Sequence, residues 1–292
     1  MCRFLFSFPF ADAKLNSLTF QNKVLDLVEV FARKASASSS PLLLHLIRPL
    51  FTLAATPPSE TSKSKGEASE KQVANRACGI LRGKVCAGKG KAPSIDLKDE
   101  QILEIVMEDL DEMHAVARNP SSAEIASLTS SVNSFLTRVV LQSTGMEAEA
   151  ASKVPKALLA LYSETLKDYI NRKASGVKPA FMLDALKRFP ALGWALREEI
   201  LAGCGSAEDD SVDEAGKEKK GKSSMNAYRQ VQMMGMLQTV LTGAVQSVSS
   251  CRRKPSRWYE VNMLTKFVSI FPNPSSTPRP PLCSLSFLSS AP

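Results

Sequence analysis

Histidine is nearly missing from this sequence, with His45 and His114 its two copies in 292 residues. That scarcity removes most routes to general acid–base chemistry or to a nucleophile activated by a neighbouring base. Cysteine is present but unpatterned. The thiols at Cys2, Cys78, Cys86, Cys204, Cys251 and Cys283 include no C-x-x-C pair and no histidine close in sequence, so neither zinc-ligand spacing nor a disulfide framework emerges. They read as reduced thiols of a reducing compartment. Alternating strands joined by hairpin turns are absent too. So is any uncharged run apolar enough to span a bilayer: the longest, Val231 to Val248, is diluted by Gln, Thr, Ser and Gly. A soluble chain without a membrane partner is expected.

What the sequence does contain is helical periodicity, and 44% hydrophobic residues supply a sizeable core. The expected fold class is all-α, an irregular HEAT/armadillo-like α-solenoid of helix pairs joined by disordered linkers. Residues 1–13 stand apart. Arg3, the apolar run Phe4 to Phe10 and Ala11-Asp12-Ala13 loosely imitate a signal peptide, although Ser7 and Pro9 interrupt the run. A secreted helical protein is thus one reading to keep in view.

The helical-repeat region spans 14–202, with linkers near 56–68 and 83–96. In "FQNKVLDLVEVFARK" the residues Phe20, Val24, Leu27, Val28 and Phe31 form one stripe, widened by Leu25 and Val30. So wide an apolar surface predicts two neighbours: the following helix and another repeat on sequence outside this chain. An exposed apolar end face is expected where that second neighbour is missing. Ser40 as N-cap and Pro41 at the first helical position start "PLLLHLIRPLF", with Pro49 predicted to kink it and His45 to fill a helix face. Ser69-x-x-Gln72 reads as a capping box for the next helix, and "RGKVCAGKGKAPS" as its break. An acidic-faced helix over about 97–117 follows, then one capped by Ser121-x-x-Glu124, then one from about Pro155 ending near Arg172 and Gly176. Pro179 and Pro190 each open a further helix. Residues 203–224, acidic then basic, read as a disordered linker, 225–271 as a helical segment with a second short helix over 257–271, and 272–292 as a disordered Pro/Ser-rich tail.

Three stretches imitate chemistry. Gly83-Lys-Val-Cys-Ala-Gly88-Lys89 matches the start of a phosphate-binding loop, but Gly90 stands where a magnesium-binding hydroxyl belongs and a helix precedes it instead of a strand. A flexible basic linker is the better reading. Asp109-Leu110-Asp111 has the D-x-D form of two-metal polymerases, yet on a helix residues two apart project about 200° apart and cannot converge. A solvated face is predicted, with His114 solvated beside it. Lys217, Lys219, Lys220 and Lys222, and Arg252, Arg253, Lys254 and Arg257 ahead of Trp258-Tyr259, form two basic clusters suited to phosphate contacts or nuclear localisation. The net charge of +8 and a pI near 9.2 favour anionic partners. No catalytic residue, metal site, cofactor or small-molecule substrate is predicted.

The phrases "FQNKVLDLVEVFARKASASSSPLLLHLIRPLF", "EKQVANRACGILRGKVC" and "VPKALLALYSETLKDYINRKASGVKPAFMLDALKRFP" resemble the DNA polymerase V family, also called the Myb-binding protein 1A family, in the later part of its helical-repeat region. The resemblance covers about 20–202. It implies a DNA-binding protein of the nucleus and nucleolus that regulates ribosomal-DNA transcription and serves ribosome biogenesis. The implied partners are ribosomal DNA or chromatin, through backbone contacts, and ribosome-assembly or transcription proteins. The family name also implies a rival reading, template-directed DNA polymerase activity, for which the residues supply only Asp109 and Asp111. Members are several times longer and end in a Lys/Arg-rich tail that is absent here, so the chain is expected to be a fragment of such a protein.

Overall fold

A computed structural model describes residues 8–56, 65–86, 95, 100–143, 154–172, 174–205 and 227–251. Among these residues every regular element is helical, and the fold is all-α with helical-repeat packing. Met1–Ser247 forms one compact unit; Val248–Pro292 forms a second, of which only the end of the last helix is described.

Helix α1 (Phe8–Ala37) begins inside the segment set apart as 1–13. It buries Leu18, Leu25, Ala32 and Ala35, with Val28 partly covered, whereas Phe20, Val24, Leu27, Val30 and Phe31 are exposed. The expected stripe is therefore rotated. Leu18, Leu25 and Ala32 recur at seven-residue spacing, and the alanines let neighbouring backbones approach closely; the bulkier stripe is the one left open. The helix ends in a Schellman turn: Ser39 adopts a left-handed φ of 54°, its N–H reaches Ser36 O, and the Ser40 N–H reaches Ala35 O at 3.0 Å.

Pro41–Leu46 then forms a 3-10 helix burying Leu43 and Leu44, and α2 (Ile47–Ala55) buries Ile47, Leu50, Phe51 and Ala54. Pro49 does not kink a longer helix. It sits in the first turn of α2, where its missing N–H would have no intrahelical acceptor. His45 faces solvent on the 3-10 helix instead of filling a packed face. Helix α3 (Lys65–Ile80) starts four residues before Ser69, so the anticipated capping box lies inside it. Its chain continues without a break as a π-helical turn over Leu81–Val85, with Leu81 and Val85 buried. Gly83 and Lys84 of the loop-like motif belong to this turn, while Gly88 to Gly90 lie outside the described residues.

Helices α4 (Glu100–Arg118), α5 (Ala123–Ser143), α6 (Lys156–Asn171) and α7 (Pro179–Arg188) build the main core, α4 packing on α5 and α6, and α5 on α7. The N-cap oxygen of α5 comes from Ser122, which accepts from the Ile125 N–H at 3.2 Å; Ser121 does not cap it. Gly176 is not a helix-ending residue. Its N–H donates to Arg118 O at 3.0 Å, and a Cβ there would lie 2.6 Å from that same oxygen, so only glycine fits. The single helix expected after Pro190 is divided at Leu196 into α8 (Pro190–Ala195) and α9 (Arg197–Gly205), which carries helix into the start of the expected 203–224 linker. Helix α10 (Ala227–Cys251) buries Met233, Met236 and Val240. Arg229 of α10 donates to Tyr169 O and Arg172 O, satisfying carbonyls at the open end of α6. Of the linkers expected near 56–68 and 83–96, residues 65–68 and 83–85 are helical, while 57–64, 87–94 and 96, most of 203–224, the short helix over 257–271 and the tail lie outside the described residues.

Candidate functional site

The most polar part of the interior lies between α4, α5 and α6. His114 is fully buried, which overturns its expected place on a solvated face. Its position follows from the helix period: it stands four residues after Leu110 and eight after Val106, both buried on the same side of α4. Nδ1 pairs with Thr165 Oγ1 at 2.7 Å, and the ring packs edge-on against Tyr162 and Phe181. Asn133 Nδ2 donates to Tyr162 Oη at 2.7 Å, and Thr137 Oγ1 shares a hydrogen bond with the same phenol at 2.9 Å. Asn133 lies beside the imidazole and opposes the lowering of its pKa only weakly. That contact falls short of hydrogen-bond geometry, however, leaving His114 Nε2 and Asn133 Oδ1 buried without partners among the described residues. Burial first, and the Arg118 charge second, hold the His114 pKa down at about 3, while burial pushes Tyr162 up to about 12. Both groups are neutral near pH 7. A neutral imidazole sealed from solvent and locked to a threonine has no route to a substrate proton, so the network organises the core and performs no acid–base step.

Asp109 and Asp111 part company. Asp109 is 2% exposed, while Asp111 faces solvent, so they do not converge. The expected solvated face holds for Asp111 only. Arg48, reaching from α2, donates from Nε to Asp109 Oδ1 at 3.0 Å, lies 3.3 Å from Glu112 Oε2 and contacts Glu108 at 3.4 Å. Burial raises the Asp109 pKa against the opposing pull of Arg48, and the carboxylates raise that of Arg48. The acid that most resembled a metal ligand is thus bound to an arginine across a helix–helix contact. Among the described residues no three His, Cys, Asp or Glu side chains lie close enough to share a metal ion.

Two open surfaces among the described residues are a groove and one face of α1; α10 also exposes Tyr228, Val231 and Met234. A groove of about 760 Å³ runs between α1, α2, α3 and the start of α5, with Leu18, Val73 and Ile125 among its apolar lining and Asn75, Ser122 and Glu124 among its polar lining. Cys78 borders it, its thiol pushed up by burial. The other surface is the exposed face of α1, where Phe20 is 69% and Leu27 72% accessible. Cys86 is partly buried, and burial pushes its thiol up to about 12; Cys78, Cys86 and Cys204 are all unpaired. The basic residues singled out from sequence, Lys217, Lys219, Lys220, Lys222, Arg252, Arg253, Lys254 and Arg257, all lie outside the described residues. No helix among the described residues is long and apolar enough to cross a membrane.

These features define a class, an all-α helical-repeat protein in which Asp109, His114 and Tyr162 are enclosed in packing. Comparison with known proteins narrows the class. The chain is 26% identical over 177 residues to a Myb-binding protein 1A-like protein of Danio rerio, an alignment covering 59% of this chain and 13% of that relative. The chain is thus a distant relative of that protein and spans a small part of its length. The match bears on the Myb-binding protein 1A half of the resemblance and not on the DNA polymerase V half. No protein-family model matches the chain, and no solved structure does.

Proposed function

We propose that the chain is a non-enzymatic helical-repeat scaffold of the nucleolus that binds ribosomal DNA or chromatin through phosphate contacts and holds transcription or ribosome-assembly proteins. The observation that carries this reading is the 177-residue similarity to a Myb-binding protein 1A-like protein, a name that concerns a protein partner and no reaction. The relative's name adds Myb to the partners proposed. The interior supports the reading from a second side: Asp109 is bound by Arg48, and His114 is sealed against Thr165. Helical repeats present extended surfaces to partners and need no buried acid or base. Phosphate contacts fall to the basic clusters at 217–222 and 252–257, whose lysines and arginines suit backbone binding without base reading.

The tagged chain should concentrate in nucleoli and retain ribosomal DNA after crosslinking, and replacing both basic clusters with alanine should lower its DNA affinity most at low salt and flatten its salt dependence. A chain excluded from nuclei that retains neither ribosomal DNA nor assembly factors would overturn the proposal. The polymerase reading is checked separately: nucleotide incorporation by the wild-type chain that vanished in Asp109→Asn would reinstate it.

A further inference from the structure

We propose that Arg138 of α5 and Arg188 of α7 form a two-arginine phosphate clamp on the folded helical unit, taking successive phosphates of a nucleic-acid strand. The inference rests on the reading of the chain as a nucleic-acid-binding scaffold, and it adds a contact point apart from the two basic clusters. Helices α5 and α7 pack on each other, and Ser130 Oγ donates to Asp184 Oδ2 across that contact at 3.3 Å. Arg138 stands two turns beyond Ser130 and Arg188 one turn beyond Asp184, so the helix period brings both arginines back to the side of that contact. Arg138 is half-buried and Arg188 is exposed. Burial lowers the Arg138 pKa most, the Arg188 charge lowers it next, and Cys86 opposes both. The second of these causes places the Arg188 guanidinium close to that of Arg138.

What this pair lacks is an acid. Every other arginine among the described residues engages a carboxylate or a backbone carbonyl. Neither Arg138 nor Arg188 makes an ion pair or a hydrogen bond among the described residues. Asp184, one turn before Arg188, is engaged by Ser130 instead. Cations at the carbonyl end of α7 have an ordinary explanation, since Lys187 and Arg188 there complement the helix dipole. Arg138 has none, because it lies inside α5, short of its last turn. Two like charges held together, one of them partly desolvated, are costly, and an anion supplied from outside relieves both costs. Phosphate suits them because the planar guanidinium fork donates two parallel N–H bonds to its oxygens. A strand is favoured over a phosphorylated side chain on two grounds. It brings one charge for each arginine, and a chain of net charge +8 attracts an extended polyanion more than a single charged group.

The test is the salt dependence of binding between the full chain and a short, labelled, random-sequence DNA duplex, read by fluorescence anisotropy. Loss of two phosphate contacts flattens the slope of log K against log salt by about 1.8. Between about 50 and about 200 mM salt the parent should therefore lose about twelvefold more affinity than the double variant Arg138→Gln, Arg188→Gln. Arg188→Gln alone, at an exposed position, should give about half of that change in slope. Lysine at both positions should keep the slope, and the circular dichroism of all these variants should match the parent. Duplex binding with an unchanged slope in the double glutamine variant would overturn the clamp and leave the proposed function standing. A parent chain that binds no duplex would overturn both. A phosphoserine peptide held by the parent more tightly than the duplex, and released by the double glutamine variant, would assign the arginines to a phosphorylated protein and overturn the strand as their ligand.

Discussion

Helices α1 and α5 distribute their side chains in opposite ways. The first turns two phenylalanines, a leucine and two valines toward solvent and packs through alanines and a pair of leucines. The second buries Thr129, Asn133, Ser134 and Thr137 beside Leu128, Val132, Phe135 and Leu136. Neighbours decide which side is covered. Helix α5 has α4 on one side, α7 on another, and the π-helical turn and α2 against it, so almost every direction is occupied and its polar groups must find partners inside. Helix α1 lies at the margin of the same unit and is covered from one side. Which positions are buried therefore follows from the neighbours and not from side-chain hydrophobicity alone.

Cavity-forming substitutions sharpen the contrast most. Leu128 is fully buried on α5, and Leu128→Ala should cost about 2–5 kcal/mol in urea unfolding. Leu27→Ala on α1 should change the stability of the dilute monomer by less than about 0.5 kcal/mol. Equal losses at the two sites would mean that the α1 face is covered within the monomer.

The next largest effect concerns the ion pair between α2 and α4. Arg48→Met leaves Asp109 buried among Glu108 and Glu112 with its guanidinium removed. The expected loss is about 1–3 kcal/mol, below the range for fully buried pairs because Arg48 is half in water. Asp109→Asn in the Arg48→Met background should recover most of it, since a neutral amide needs no counter-charge. A double variant no more stable than Arg48→Met would show that Arg48 acts through packing.

Acid should weaken α5's side of the comparison before it weakens α1's. The folded His114 pKa of about 3 lies below the usual value of 6.5, so the unfolded chain binds the proton first. The stability that neutral His114 contributes is complete above pH 6.5 and falls by about 1.4 kcal/mol per pH unit as pH drops toward 3. Between pH 6.5 and 5, above the range of ordinary carboxylates, the urea midpoint should decline in the parent and stay level in His114→Gln. A parent midpoint that stays level over that window would show that His114 is protonated in the folded state.

Much of this was legible in the chain. The helices, the Pro179 and Pro190 starts and the helical core followed from apolar spacing and from where proline can stand. Asp109 and His114 were also legible in position, since Asp109 lies seven residues after Ile102 and His114 four after Leu110. Their chemistry argued for solvent and their period argued for burial; period prevailed because Arg48 and Thr165 were available as partners. Those partners lie 61 and 51 residues away in sequence, a separation that no local pattern reveals. In α1 the error ran the other way: large side chains drew attention from Ala32 and Ala35, whose small size is what permits close packing. The basic clusters were chosen by composition, and composition does not position them.

The smallest expected effect tests how α1 is held despite its open face. Ser39 closes the Schellman turn with φ 54°, a conformation that crowds the Cβ of any residue but glycine. The turn fixes the direction in which Pro41 leaves α1, and so delivers Leu43 and Leu44 to the core. Ser39→Gly removes the crowding, worth roughly 1–2 kcal/mol, and loosens the unfolded chain by roughly 0.4–1 kcal/mol. A net gain of about 0.5–1 kcal/mol in unfolding free energy, read from urea titration, is expected. Ser39→Ala keeps the Cβ and should gain nothing. If glycine destabilised the chain instead, the serine side chain would be contributing more than relief of the crowding at its Cβ.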